Sequence, residues 1–180
     1  MRLPRWREKE PPRESYIIRS ARPRDMAGID AVLSRSYPRL LKADYPPSVL
    51  VTAVPVISRA QPDLVASGTY YVAEGEDGAL LGAGGWTIRA PGPGRRGADT
   101  GHIRHFATDP DHLRKGIAGA LMRRVFLDAE ALGVARMECL STRTAVPFYL
   151  AQGFRTLGDV EVQLRGGIAF PAIQMMRPMP

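Results

Sequence analysis

In the second half of the chain a helix stands between two strands, and few folds accommodate that order. From Gly116 to Leu132 apolar residues recur at Ile117, Leu121, Val125 and Leu132, one face of a helix, and Gly133 stands where a carboxyl-terminal cap belongs. Before it, Ile103 to Thr108 alternates like a strand until Asp109 and Pro110 stop it; after it, Ala135 to Ser141 reads as another strand. Two strands joined through a helix of that length lie parallel, so the segment is a β-α-β crossover.

The other elements fall around this unit. Tyr16 to Arg19 reads as a short strand. Asp25 caps a helix with Met26, Ile29, Val32 and Leu33 on one face, and Pro38 ends it. Pro46 and Pro47 precede a second helical or irregular stretch, Val49 to Ala60, whose internal Pro55 leaves its assignment open. Thr69 to Ala73 and Ala79 to Arg89 form a hairpin about a turn at Glu74 to Gly78, and a glycine-rich connection from Pro91 to Gly101 leads into the crossover. A short helix from about Thr144 to Gln152 is closed by Gly153, and strands at about Val160 to Leu164 and Ile168 to Met176 finish the chain. The expected fold is α/β (α+β): a mixed, mainly antiparallel sheet with one β-α-β crossover and helices on both faces.

A chain of 180 residues supports one hydrophobic core. Five basic residues (Arg2, Arg5, Arg7, Lys9, Arg13) crowd positions 1–14, an expected solvated arm, which leaves 15–180 as a single domain. Hydrophobic residues at 44% and charged residues at 24% exclude wholesale disorder. The longest apolar stretch, Val49 to Ile57, is broken by Thr52 and Pro55 and is too short for a membrane span, so no membrane association is expected. No apolar segment follows the basic start, so neither a secretory nor a transit peptide fits, and a cytoplasmic location is expected. The single cysteine, Cys139, agrees with a reducing compartment and can furnish neither an internal disulfide nor a cysteine-rich zinc site; no metal is expected. A net charge of +7 favours anionic partners.

Two glycine-rich segments invite comparison. Gly92-Pro-Gly94-Arg-Arg-Gly97 has the spacing of a dinucleotide-binding fingerprint, but a strand rather than a helix follows it, so it reads as a hairpin loop. Leu113-Arg-Lys-Gly-Ile-Ala-Gly-Ala-Leu121 lies where a strand gives way to a helix. There the first-turn amides have no intrahelical partners, Gly116 permits close backbone approach, Ala118 and Gly119 are small, and Arg114 and Lys115 add charge beside the helix dipole. A diphosphate suits such a site. A glycine-tolerant helix start with two solvated bases would explain the segment equally well if it stood alone.

From Gly101, the sequence GHIRHFATDPDHLRKGIAGALM resembles the cofactor-binding core of the GNAT acyltransferase family, in which a strand ending x-x-V-x-P precedes R/Q-x-x-G-x-G/A at a helix start. STRTAVPFYLAQGF, Ser141 to Phe154, is similar to the family's closing signature, a tyrosine on a short helix a few residues before Gly-Phe. The likeness runs through the whole chain apart from the basic arm. It departs at Leu113, where the family has Arg or Gln, and at Thr108, where it has valine.

The resemblance implies an N-acetyltransferase that moves an acetyl group directly from acetyl-CoA to a primary amine. Pantetheine would lie along Phe106, Ala107 and Thr108, and the diphosphate on Arg114, Lys115, Gly116, Ile117, Ala118 and Gly119. The Phe106 N–H is the expected oxyanion donor and Tyr149 the expected acid for the departing thiolate. For the base, His102 lies four residues before Phe106, hence on the same strand face by alternation, while His105 points to the other face and His112 sits in the turn. Glu138 is a further possible base. Cys139 as an acyl-carrying nucleophile lacks any evident activating group. The partners are thus acetyl-CoA and an amine-bearing acceptor, chosen by the first helices and the last hairpin; homodimerisation is left open. Two rival readings are a nucleic-acid-binding module using the arm and Arg95-Arg96, disfavoured because Trp6 is the arm's lone aromatic, and a CoA-binding protein without catalysis.

Overall fold

The computed structural model describes residues 15–90 and 99–180. Its elements are β1 (Tyr16–Ser20), α1 (Met26–Leu40), α2 (Pro47–Ile57), α3 (Pro62–Val65), β2 (Tyr70–Gly75), β3 (Leu80–Thr87), β4 (Thr100–Thr108), α4 (Ile117–Ala131), β5 (Arg136–Ser141), α5 (Val146–Ala151), β6 (Arg155–Leu164) and β7 (Ile168–Pro178). The basic arm, the Gly92 to Gly97 segment and the Arg95-Arg96 pair lie outside the described residues.

Seven strands form one sheet in the order β1-β2-β3-β4-β5-β7-β6. Every neighbouring pair is antiparallel except β4 and β5, the strands that α4 joins. Trp86, Met137 and Met175 pack one face of the sheet against Leu121, Met122 and Val125 of α4. The other face carries Val72, Ala83 and Ala107 beneath Ile29, Val32 and Leu33 of α1. Farther along that face α2 and Tyr45 cover Phe170 and Ala172 of β7. Burying apolar area on both faces contributes the bulk of the stability, at about 25 cal/mol per Å².

Three local details differ from the sequence pattern. Pro38 does not end α1, which runs to Leu40; in the last turn the proline sacrifices a single intrahelical bond, and the Leu41 N–H still reaches the Tyr37 carbonyl. Asp25 holds the amino-terminal cap position of α1 without a side-chain capping bond. Its carboxylate accepts instead from the Arg22 amide (2.7 Å) and from Arg19, which holds its pKa below the usual carboxylate range. The last hairpin is longer than its alternating cores because the β6–β7 pairing continues out to Arg155 and Met176.

A fourth departure shapes the site. Ala107 pairs with Ala83 and Arg104 with Gly85, so the ladder shifts register between them, and His105 takes a left-handed conformation with φ 45°. This is a β-bulge. Gly84 makes room for it: a β-carbon there would lie 2.5 Å from Phe106 Cδ2.

Candidate active site

The parallel pairing of β4 with β5 spans only Thr100–Arg136, Gly101–Met137 and His102–Glu138. Beyond it β4 stays with β3 and β5 stays with β7, so the two strands part. The space they leave is a cleft of about 740 Å³, well within the range of small-molecule sites. Phe106, Ala107 and Thr108 of β4 form one wall, Thr142, Phe148 and Tyr149 another, and Tyr37 and Leu40 of α1 close a third side. At its end stand Arg114, Gly116, Ile117, Ala118 and Gly119.

This end offers donors that suit an anion. Arg114 and Gly116 both adopt positive φ, 61° and 81°. The first helical bond of α4 runs from the Ala120 N–H to the Gly116 carbonyl (2.9 Å), so the Ile117, Ala118 and Gly119 amides have no acceptor within the helix. The loop ahead is fastened to α1: Asp109 accepts from the Asp111 amide (2.9 Å), Arg35 pairs with Asp109 (3.3 Å), and Arg39 pairs with Asp111 (2.8 Å). Lys115 does not line the cleft; its Nζ lies 3.4 Å from His112 Nδ1, and His112 itself is a lining residue. The β5–α5 connection is held from across the molecule. Tyr45 Oη accepts from the Arg143 amide (2.9 Å) and donates to the Pro171 carbonyl (2.8 Å), while Thr144 Oγ1 donates to Asp44 (2.6 Å).

Tyr149 is buried, its ring edge-on to Phe148 (5.2 Å) and Phe154 (5.3 Å). Burial pushes its pKa well above the ordinary phenol value, so the hydroxyl keeps its proton at neutral pH. Tyr37 stands close enough to couple to it electrostatically and is raised for the same reason. No local pattern marks Tyr37; long-range packing of α1 over the sheet brings it to the cleft.

The bulge overturns the same-face expectation for His102 and Phe106. Phe106 packs with the α4-side core, whereas Ala107 belongs to the α1-side core, so after the bulge the even positions of β4 face α4. Before it, Ile103 and its partner Trp86 face α4, which places His102 and Arg104 on the α1 side. His105, expected on the face opposite His102, joins it: His105 Nε2 lies 3.2 Å from Gln61 Nε2, and Arg104 donates to Gln61 Oε1 (3.3 Å).

His102 therefore lines a second, smaller hollow of about 160 Å³ with Glu138, Leu140 and Gln174. It is 8% exposed, and its Nε2 is buried without a hydrogen-bond partner among the described residues. Burial lowers its pKa, with Glu138 opposing and Arg104 reinforcing the shift, so the ring is neutral at pH 7 and able to accept a proton. Burial takes His105 further down, to about 4. The Cys139 thiol is buried and pushed up to about 12, a packing residue rather than a nucleophile.

A splayed parallel pair, a helix start with unpaired amides beneath it and a protonated phenol in the gap suit a transferase that handles a phosphorylated carrier. Residues 44–176 match the family described as acetyltransferase (GNAT) domain, and the chain belongs to that family. It is an N-acetyltransferase that uses acetyl-CoA. Solved structures agree on the fold. The GCN5-related N-acetyltransferase of Rhodopseudomonas palustris superposes with a TM-score of 0.71 at 17% identity, over 95% of this chain and 100% of that one. The PaiA N-acetyltransferase of Thermoplasma acidophilum, solved in complex with coenzyme A, gives 0.68 at 14% identity, over 91% and 99%. A GCN5-related N-acetyltransferase of Kribbella flavida gives 0.61 at 20% identity, over 91% and 98%. No curated protein sequence matches the chain significantly. Among the described residues no helix is long and apolar enough to cross a membrane.

Proposed function

We propose that acetyl-CoA lies in the large cleft, its diphosphate on the first turn of α4 and its pantetheine along Phe106, Ala107 and Thr108, and that the acetyl group passes directly to a primary amine entering from the α1 face of β4. The observation that carries this reading is the parting of β4 and β5 just past the His102–Glu138 pair. The ladder ends there, and this reading brings a thioester beside Phe106 and an amine beside His102 together where the strands part. The bound coenzyme A reported for the Thermoplasma PaiA enzyme supports a carrier on this fold.

In this mechanism the neutral amine attacks the thioester carbonyl and the oxygen gathers negative charge. The Phe106 N–H, aimed by the bulge, donates to that oxygen. Collapse breaks the carbon–sulfur bond, and Tyr149 gives its proton to the departing thiolate and recovers one from solvent. The acceptor arrives as an ammonium and gives one proton to His102, directly or through one water, before it attacks; the nitrogen loses its second proton to solvent once the bond has formed, and His102 returns its own to solvent. Arg114 and Lys115 add positive charge at the diphosphate, Lys115 from outside the cleft wall. His105, with Nε2 on Gln61 and its backbone in the bulge, serves the strand rather than the proton transfer.

Thiol release from acetyl-CoA against a panel of primary amines tests the activity, with calorimetry of CoA binding beside it. Amine-dependent release confirms transfer; CoA binding with no release from any amine would leave a carrier-binding protein without catalysis.

A further inference from the structure

We propose that the acceptor is an amino carboxylate whose carboxylate is held by Arg104, a proposal that rests on the acceptor entering from the α1 face as above. Arg104 is half-buried on β4, two residues beyond His102 on the same face and directly before the bulge. Its guanidinium donates to Thr87 Oγ1 (3.2 Å) and Gln61 Oε1 (3.3 Å), both neutral acceptors. Among the described residues no carboxylate pairs with it, whereas Arg39 pairs with one and Arg19, Arg35 and Arg136 with two each.

A guanidinium carries five donors, so most of this one's capacity is unspent. Taking a cation out of water without an anion is costly, burial lowers the pKa of Arg104, and a guanidinium in a protein does not relieve that cost by deprotonating. The neighbouring histidines offer no compensation, since Arg104 acts on both His102 and His105 as an unfavourable charge. A ligand anion would supply what the protein omits. Thr87 and Gln61 fix the plane of the guanidinium, and a planar fork matches a carboxylate with two parallel bonds.

The other half of the acceptor finds its partner alongside. Glu138, with Arg136 Nε 3.8 Å from one of its oxygens, pairs across the ladder with His102 and lines the same small hollow, so its remaining acceptor capacity draws an arriving ammonium toward His102. A molecule bearing both charges thus has its amine beside the base and its carboxylate beside Arg104. A simple amine would leave the guanidinium unpaired.

The test pairs α- and ω-amino acids with their carboxamides as acceptors in the thiol-release assay. The carboxylates are expected to exceed the amides in kcat/KM by about tenfold or more, chiefly through KM, as for other desolvated ion pairs. Arg104→Gln should bring the ratio toward one, and Arg104→Lys, which keeps the charge but loses the fork, should retain part of it. Equal kcat/KM for acid and amide, or a preference unchanged in Arg104→Gln, overturns the proposal and leaves acetyl transfer standing. Should no amine release thiol, calorimetric titration of the same pairs, with and without CoA, reads the preference directly: tighter binding of the carboxylates to the wild type but not to Arg104→Gln supports it, and equal binding overturns it. If Arg104 merely ties Gln61 to the sheet, Arg104→Gln will melt earlier with the acid-to-amide ratio intact.

Discussion

The phenol of Tyr70 donates a 2.8 Å hydrogen bond to the backbone carbonyl of His105, the residue that turns left-handed in the β4 bulge. No peptide among the described residues is cis, and a trans peptide points its carbonyl and its N–H in opposite directions. Holding the His105 carbonyl toward Tyr70 on the α1 side therefore turns the Phe106 N–H away from it. A fully buried tyrosine of the core thus sets the direction of the amide assigned to the oxyanion.

Tyr70→Phe tests that relationship. The variant leaves the His105 carbonyl without its partner, which should cost about 1–3 kcal/mol of stability, and it frees a strained peptide to rotate. Complete removal of an oxyanion donor costs about a hundredfold or more, so loosening one should lower kcat by about tenfold with CoA affinity held. A stability loss with kcat unchanged would make the bond structural only.

The crossover, the α4 start and the α5 tyrosine were legible because each is written in contiguous residues: a helical period between two alternating runs, glycine at a helix start, Tyr149 just ahead of Gly153-Phe154. The bulge was not legible. Strict alternation puts His102 and Phe106 on one face, and what breaks it is a pairing with β3, where Gly84 lacks the side chain that would collide with Phe106. Tyr37 and the unpaired state of Arg104 were hidden for the same physical reason. Each depends on which distant groups packing brings near, and a lone tyrosine or arginine on a patterned segment carries no mark of its neighbours.

Gly116→Asp should abolish carrier binding while barely altering the fold. A β-carbon at Gly116 meets nothing nearer than Tyr16 Oη at 3.6 Å, so the cost is conformational, about 1–2 kcal/mol for a left-handed residue at φ 81°. A carboxylate at the amino-terminal end of α4 recovers part of that through the helix dipole. The same carboxylate occupies the anion position and repels a diphosphate, so CoA affinity should fall by about a hundredfold or more. Calorimetry with CoA, beside a thermal melt, reads the two effects separately; unchanged affinity in a folded variant removes the diphosphate from this end of the cleft.

His105 should make the protein acid-sensitive. Its folded pKa of about 4 lies below the ordinary imidazole value, lowered by burial first and by Arg104 second. Between those values the unfolded chain binds the extra proton and the folded one does not, so stability is fully present above about pH 6.5 and is lost as pH falls toward 4. His102 shifts in the same direction. His105→Asn keeps a residue that tolerates positive φ and removes the titration. Urea melts at pH 7 and 4.5 should show a smaller acid loss in His105→Asn than in the wild type, and equal losses would refute a neutral, buried His105.

Tyr149 and Tyr37 both present phenols to the cleft, and the two can be told apart. Each substitution to phenylalanine keeps the ring and removes one hydroxyl, at a stability cost of about 0.5–1.5 kcal/mol. If Tyr149 protonates the thiolate, Tyr149→Phe should lower turnover by about a hundredfold or more with acetyl-CoA affinity held, while Tyr37→Phe changes it only a few-fold. Burial raises both phenols above the ordinary value near 10, so neither variant should alter the alkaline side of the pH–rate profile below about pH 9. The assay needs an accepted amine and a rate limited by chemistry, since slow product release would mask the loss. The reverse pattern assigns the acid to Tyr37 on α1, and small effects from both leave the proton to solvent entering through the mouth of the cleft.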